Sequence, residues 1–262
     1  MNASARPVEA PWTAAFSLQA LRYLRSARLR LAAILSGLVV LGVVTVFHLA
    51  APKAPAAAWE TSQDLAIGTL VVFLVPFMFG PALVSEEVSS RTLPFLLVRS
   101  VGRIRLGLGK LVAASAATVS IVFVASLLLF VGCLAPHGES FGTALPAALR
   151  SAAAMGLLAA YYTAVGFFWS AAIPSSANVA TAIHFAILEF GVSHAPGFVR
   201  LGAMRHMASV LSHNGLGADA GGSIPDVPTW AAAAILALAL SGATVAGLLA
   251  FQGREYRIGV TS

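Results

Sequence analysis

Charged side chains are scarce in this chain of 262 residues: Asp, Glu, Lys and Arg make up 10% of it, whereas hydrophobic residues make up 58%. An average soluble domain carries about 25% charged residues. So little polar surface excludes a soluble fold, and long apolar runs between short polar stretches predict an all-α polytopic membrane protein. The net charge of +6 does not indicate nucleic acid as a partner, because the cations lie beside apolar runs, where they set membrane orientation.

Cysteine is represented once, by Cys133, which excludes an internal disulfide and a cysteine-only metal site. Cys133 lies in an apolar run, where we expect a small buried hydrophobic side chain. A cleavable signal peptide is not evident either. The first apolar run begins near Leu31, behind an Arg-rich helix, so we expect it to stay in the mature protein.

The motifs of common enzymes are missing. Residues 107–110, GLGK, resemble the end of a P-loop, but Ile104 occupies the position of its first glycine and Leu111 follows the lysine. H-E-x-x-H, G-x-S-x-G and Cys/His clusters do not occur. We therefore expect no enzyme and no cofactor in this chain. No convincing internal repeat supports an inverted-repeat transporter.

Six apolar runs predict transmembrane helices, at about 30–50, 65–84, 106–134, 146–173, 177–193 and 229–251. Between them we expect an external Pro-rich loop at 51–64, an external turn at 136–145, a tight turn at 174–176 and an external or re-entrant segment at 194–228. Residues 12–29 predict an amphipathic helix that lies in the membrane interface with its arginines among headgroups. The alternative is a basic extension of the first span.

The cations predict the orientation. Twelve of the 16 Lys and Arg residues lie in the termini and in the central stretch 85–105 with its flank. By the positive-inside rule both termini and this stretch face the cytoplasm, and the chain belongs in the plasma membrane, or the inner membrane of a bacterium.

Polar residues and prolines inside the spans are candidate functional positions. Pro76 and Pro81 should kink the second span, for packing or for gating. Glu189 is a costly carboxylate near the outer end of the fifth span, with either a pathway role or a structural one, and His184 lies five residues before it. A spacing of five on a straight helix does not bring them to one metal ion.

One further cluster contains soft metal ligands. His206 and His213 would share a helical face, with Met204 and Met207 nearby. These side chains suit copper, and chance proximity of surface residues is the alternative.

The central stretch 85–105 is polar and basic between two apolar runs. Glu86, Glu87 and Arg91 precede the apolar residues 93–98, and a basic cluster that includes Arg99 leads into the third span. A short amphipathic helix here, bounded by Pro94 and Gly102, would present its charged face to the cytosol or to a partner. The alternative is a juxtamembrane loop that only orients the spans.

These residues resemble the membrane subunits of type-2 ATP-binding-cassette (ABC) exporters. The features in common are a glutamate pair at Glu86 and Glu87, the stretch 91–93, Leu-Leu at 96–97, Arg99, and Gly-Lys at 109–110. The basic N-terminal helix, the six spans and the external segment before the sixth extend the resemblance over nearly the whole chain.

The resemblance implies a second permease copy or a similar subunit, and a separate cytoplasmic ATPase that holds ATP and magnesium. The segment 85–105 would act as a coupling helix, with Glu86, Glu87, Arg91 and Arg99 on the ATPase contact. The expected function is a permease subunit of an exporter. The alternatives are a membrane scaffold that relays ATP-driven force without transport, and an ion-coupled carrier with His184 and Glu189 as proton groups.

Overall fold

The computed structural model describes residues 11–90, 102–194, 197–212 and 227–254, and the regular elements among them are helical, as predicted. The α-helices are α1 (Pro11–Leu24), α2 (Ala27–Ala50), α3 (Pro55–Leu65), α4 (Val72–Phe79), α5 (Ala82–Ser89), α6 (Arg103–Leu134), α7 (Gly138–Ala172), α8 (Ala177–His184), α9 (Met204–Ser212) and α10 (Thr229–Gly253). π-Helical turns at Ala66–Val71 and Phe185–Gly191 continue α3 and α8, and short 3-10 turns join several of the rest.

Within the described residues, five helical stretches are long and apolar enough to cross a membrane: Ala27–Ala50, Pro55–Ser89, Arg103–His137, Ser140–Ala172 and Thr229–Gly253. They overlap five of the six predicted spans, so the prediction of an all-helical chain with several helices long and apolar enough to cross a membrane is confirmed for the described residues. Residues 177–193, the other predicted span, are helical but divided among α8, a π-helical turn and the start of a 3-10 turn. The count of six stays a prediction.

Helix α7 forms the centre of the bundle. In its most apolar 18-residue window 83% of the residues are buried, against 22% in α2 and 17% in α10. Helices α4, α6, α9 and α10 all pack on it. Helices α2 and α10 therefore direct much of their apolar surface outward, where lipid or another protein would cover it.

Two sets of contacts fix the direction of the helices. The Arg103 guanidinium donates to the carbonyls of Gln252 and Arg254 at 3.2 and 3.3 Å, so α6 begins where α10 ends. We call this the charged end of the bundle. Toward the opposite end, Arg150 Nε in the first half of α7 donates to the carbonyl of Ser212, the last residue of α9, at 3.3 Å.

The described residues of 177–212 lie between these two ends of the bundle. Helix α7 ends at the charged end and α9 ends at the opposite end, so the α8 region and α9 together bridge the two. The short helical pieces at Gly197–Gly202 and Met204–Ser212 lie in the segment predicted to be external or re-entrant, and Met207 and Ala208 are fully buried in the core. Residues 213–226 of that segment lie outside the described part of the chain.

The predicted interfacial helix 12–29 is two helices. Helix α1 ends at Leu24, and Ser26 caps α2, because its hydroxyl accepts a hydrogen bond from the Leu29 N–H at 3.1 Å. The same hydroxyl donates to the Tyr23 carbonyl at 2.8 Å, which fixes the turn between the helices. The first span helix thus begins at Ala27, and the location of α1 at a membrane interface stays a prediction.

The Pro-rich stretch 51–64 was predicted to be a loop, and this was wrong for most of it. Pro55 is the first residue of α3, a position where proline is tolerated because that N–H has no helical partner. Trp59 and Gln63 are 1% and 2% exposed, and the Trp59 ring meets Phe130 edge-on at 5.3 Å. Burial of this face keeps the segment helical. The predicted turn at 136–145 is likewise shorter, since α7 begins at Gly138.

The two prolines of the second span act differently. Pro76 lies inside α4, whereas the helix is interrupted at residues 80–81 and restarts as α5. Gly80 crosses Gly166 of α7 so closely that a Cβ on Gly166 would lie 2.8 Å from Gly80 Cα and from Pro81 Cδ. The interruption therefore has a packing role, and a gating role stays a prediction.

Candidate functional site: a charge cluster between four helices

Five charged side chains at the charged end join four helices. Arg22 belongs to α1, Arg28 to α2, Glu86 and Glu87 to α5, and Lys110 to α6. The Arg28 guanidinium donates to Glu86, the Lys110 ammonium donates to Glu87, and Arg22 Nη1 lies 3.6 Å from Glu87 Oε1. We call these five residues the charge cluster. Through it, the last turns of α5 are bonded to both N-terminal helices and to α6.

Glu87 and Lys110 form the buried part of the charge cluster. Their side chains are 5% and 3% exposed, and Lys110 Nζ also donates to the Leu83 carbonyl at 3.5 Å. Lys110 lies seven residues into α6, about 10 Å along the helix from Arg103. A charge at that depth is costly unless it is paired, so each of these two side chains requires the other.

Arg28 and Glu86 form the exposed part. Their side chains are 32% and 44% exposed, so water screens the pair and its contribution to stability is small. An ion pair of this kind can break and reform at little cost. It therefore suits a contact that changes between conformations.

Ser170 of α7 compensates for the interruption of the helix at Pro81. The first N–H groups of α5 lack partners in their own helix. The fully buried hydroxyl of Ser170 accepts from the N–H groups of Val84 and Ser85, each at 2.9 Å. Helix α7 thereby holds the start of α5, while the charge cluster holds its end.

Tyr23 anchors α1 beside the charge cluster. Its side chain is buried, and its ring meets Phe79 edge-on at a centroid distance of 5.3 Å. Burial raises the pKa of Tyr23 to about 12, although the nearby charges of Arg22 and Arg28 act in the opposite direction. The phenol stays neutral at physiological pH, and α1 is held by packing as well as by charge.

Glu86 and Glu87, both predicted to contact an ATPase, differ in how accessible they are to a partner. Glu86 is partly exposed at the end of α5, where a partner can reach it. Glu87 faces the interior and is occupied by Lys110 and Arg22, so in this conformation it positions α5 rather than offering itself to another protein. Arg91 and Arg99, with the rest of residues 91–101, lie outside the described part of the chain.

A second polar cluster surrounds Glu189 toward the opposite end. Glu189 is 1% exposed, and its Oε2 accepts from the Arg205 backbone N–H at 3.0 Å. The Arg205 guanidinium donates to the Thr69 hydroxyl and lies 5.8 Å from the centre of the Phe190 ring. Thr69 belongs to the first π-helical turn and Glu189 to the second. Such turns are rare in proteins, and those that occur are often found at functional sites. α9 thus links the two turns.

His184 does not join Glu189. Its ring lies edge-on to Trp169 at 6.3 Å, and its Nε2 has no hydrogen-bond partner among the described residues. The structure thus gives the two predicted pathway residues separate surroundings. Their role in a pathway stays a prediction.

The soft-ligand cluster is only partly described. Met204 and Met207 are buried in the core, and the Arg200 Nε donates to His206 Nδ1 at 3.3 Å. His213 lies outside the described residues. Among the residues that are described, no group of three or more His, Cys, Asp or Glu side chains is placed to hold a metal ion.

Sequence reasoning missed three features of the site: the Lys110 partner of Glu87, the capping Ser170 and the crossing of Gly80 with Gly166. Only the first had a usable signal. A lysine well inside an apolar run requires an anionic partner, and the glutamates lie on the neighbouring helix across a short polar segment.

The cluster and the bundle around it are the basis for assigning a function, because neither known protein-family models nor curated proteins match this chain.

Proposed function

We propose that the chain is the permease subunit of an ABC exporter, driven by a separate cytoplasmic ATPase that binds ATP and magnesium. The observation that carries the proposal is the position of the charge cluster. It lies at the end of α5, directly before the residues 91–101 of the polar segment, and it bonds that end to α1, α2 and α6. A force applied to the polar segment would reach all four helices.

The mechanism requires two arrangements of the same contacts. A partner that pulls on the segment displaces the end of α5, and Ser170 with the Gly80–Gly166 crossing provides a fixed point at its start. The exposed Arg28–Glu86 pair would break first, since it is screened by water. The buried Glu87–Lys110 pair would move with α5 and α6 as a unit. ATP binding could then bias one arrangement of the spans over the other.

Two further observations support a plasma or inner membrane location with cytoplasmic termini. The start of α2 and the end of α10 lie at the charged end, where arginines gather. The outward apolar surfaces of α2 and α10 suit lipid and a second permease copy. We infer that the charged end faces the cytoplasm.

The test is copurification in mild detergent from the native membrane. The tagged chain is expected to retain a soluble P-loop protein with Mg-dependent ATPase activity, identified by mass spectrometry. Replacing Arg91 and Arg99 by glutamine should release that protein while the permease stays monodisperse. Lys53→Gln is the matched control, because Lys53 is an exposed cation beyond the other end of α2. Equal retention by both variants, or no P-loop protein at all, contradicts the proposal.

The environment of Glu189 favours one second candidate, an ion-coupled carrier. A carboxylate that is 1% exposed and accepts a backbone N–H can bind and release a proton if the surrounding helices open. Transport by the chain alone, driven by a pH gradient and abolished by Glu189→Gln, would identify a carrier. A complex that hydrolyses ATP but moves no substrate would instead indicate a scaffold.

A further inference from the structure

An apolar cavity opens between α1, α2 and α6, next to the charge cluster. Its volume is about 530 Å³, within the range of roughly 300–1,000 Å³ that is typical of ligand pockets. The walls are mainly aliphatic and aromatic, with contributions from Phe16, Leu24, Val40, Ile121, Val124 and Leu128. Gly37 and Ala117 provide the room, because a Cβ on Gly37 would meet nothing within 4 Å.

The dimensions of the cavity match one leaflet of a bilayer. On α2 it extends from Leu29 to Val40, which is about 16 Å along a helix. Half of a hydrocarbon core of about 30 Å is about 15 Å. Leu24, Val124 and Leu128 at its border are 67%, 51% and 54% exposed, so the cavity opens sideways toward the membrane.

The end of the cavity near the charge cluster is basic. Tyr23 separates the cavity from a smaller polar pocket of about 250 Å³ that includes Arg22 and Arg28. Arg25 and Arg30 each directly follow a residue of the cavity wall, Leu24 and Leu29, and both are exposed. Within the described residues, neither forms an ion pair. Two cations are therefore available at the depth where a lipid headgroup would lie.

We propose that this cavity is a binding site for an anionic phospholipid, with one acyl chain between α1, α2 and α6 and the phosphate beside Arg25 and Arg30. An acyl chain matches the apolar walls, the lateral opening and the length of one leaflet. The lipid would fill the space that separates α1 from α2 and hold α1 against α6. This site does not depend on ATP-driven transport and would exist in a carrier or a scaffold as well.

The experiment uses the full chain reconstituted in vesicles of equal phosphatidylglycerol and phosphatidylcholine, extracted in mild detergent and examined by native mass spectrometry. The wild-type chain should retain phosphatidylglycerol over phosphatidylcholine by about tenfold, the preference expected when one to two cations near the surface contribute. Gly37→Leu fills the cavity and should lower retention of both lipids by about tenfold. Gly42→Leu is the matched control, since Gly42 lies in the same helix, also faces open space and does not line the cavity.

The second variant tests the headgroup separately. Arg25→Gln with Arg30→Gln should lower the retention of phosphatidylglycerol to that of phosphatidylcholine without changing the latter, and circular dichroism should show unchanged helix content. Equal retention of the two lipids by the wild type, or equal retention by Gly37→Leu and Gly42→Leu, overturns the proposal. If Gly37→Leu instead abolishes a dimer and leaves lipid retention unchanged, a second copy of the chain covers the cavity and the lipid site is rejected.

Discussion

Replacing Glu87 by glutamine should destabilise the bundle far more than a surface substitution does. The change removes the anionic partner of the Lys110 ammonium, which is 3% exposed, and leaves it beside neutral acceptors such as the Leu83 carbonyl at 3.5 Å. Breaking a buried ion pair from one side costs about 3–5 kcal/mol. We therefore expect Glu87→Gln to lower the free energy of unfolding by about that amount, measured from helix content during denaturant titration in mild detergent.

A double-mutant cycle separates the pair from its surroundings. The cycle consists of Glu87→Leu, Lys110→Met and the variant with both changes. Lys110→Met should cost less than Glu87→Leu, because Arg22 Nη1 remains 3.6 Å from the glutamate. The double variant Glu87→Leu with Lys110→Met should return to within about 1–2 kcal/mol of the wild type, since apolar replacements of a buried pair are often neutral. The coupling is measured by how far the summed costs of the two single substitutions exceed the cost of the double variant.

The matched control is the exposed pair of the same cluster. Glu86→Gln removes a partner of Arg28 whose side chain is 32% exposed, so the expected cost is about 0–1 kcal/mol. If Glu87→Gln costs no more than Glu86→Gln, or if the two substitutions of the cycle add without coupling, the reasoning about the buried pair is refuted.

Three other predictions follow from single contacts. Gly166→Ala should lower the free energy of unfolding by about 1–3 kcal/mol, because its Cβ would lie 2.8 Å from Gly80 Cα. Ser170→Ala should cost about 1–3 kcal/mol, since the buried N–H of Val84 and the partly buried N–H of Ser85 lose their shared acceptor. Burial and the Arg200 charge lower the pKa of His206, so the stability that its neutral ring contributes is present above its ordinary value of 6.5 and lost as the pH falls below it. Thermal unfolding between about pH 8 and pH 5 should show this loss in the wild type and a smaller one in His206→Gln.

Each of these has its own control. Gly142 lies in the same helix as Gly166, and a Cβ on Gly142 would meet nothing within 4 Å. Gly142→Ala should therefore not destabilise the protein. Ser241→Ala removes an exposed hydroxyl that donates to the Ala237 carbonyl of its own helix, so it should be near neutral. Equal effects of Gly166→Ala and Gly142→Ala would contradict the helix crossing, and identical pH profiles of wild type and His206→Gln would contradict the assignment of that titration.

The sequence was sufficient for the fold class and for five long helices, because apolar runs of membrane length have few other interpretations. The sequence was insufficient to predict where the individual helices begin and end. Ser26 divides a stretch whose amphipathic pattern looked continuous, since a cap depends on one side chain rather than on periodicity. Pro55 begins a helix where proline suggested a loop, because burial of Trp59 outweighs the local preference.

The candidate site was only half predictable. The composition of the polar stretch singled out Glu86 and Glu87, but adjacent glutamates look alike in a sequence. Their difference depends on which side of α5 faces the bundle: Glu87 points toward Lys110, whereas Glu86 stays partly exposed beside Arg28. The contact of Gly80 with Gly166 was hidden in the same way, since small residues are frequent throughout the chain and only their packing distinguishes these two.

Charge reversal across Arg28 and Glu86 tests most directly whether the charge cluster transmits force from the polar segment. ATP turnover is measured in the copurified complex for Arg28→Glu, Glu86→Arg and the double variant. Coupling free energies between sites commonly correspond to roughly 5- to 150-fold effects. Each single variant should lower stimulated turnover by at least about fivefold, and the double variant should restore it to within about twofold, because the ion pair is rebuilt in reverse. Unchanged turnover in the single variants would contradict the account.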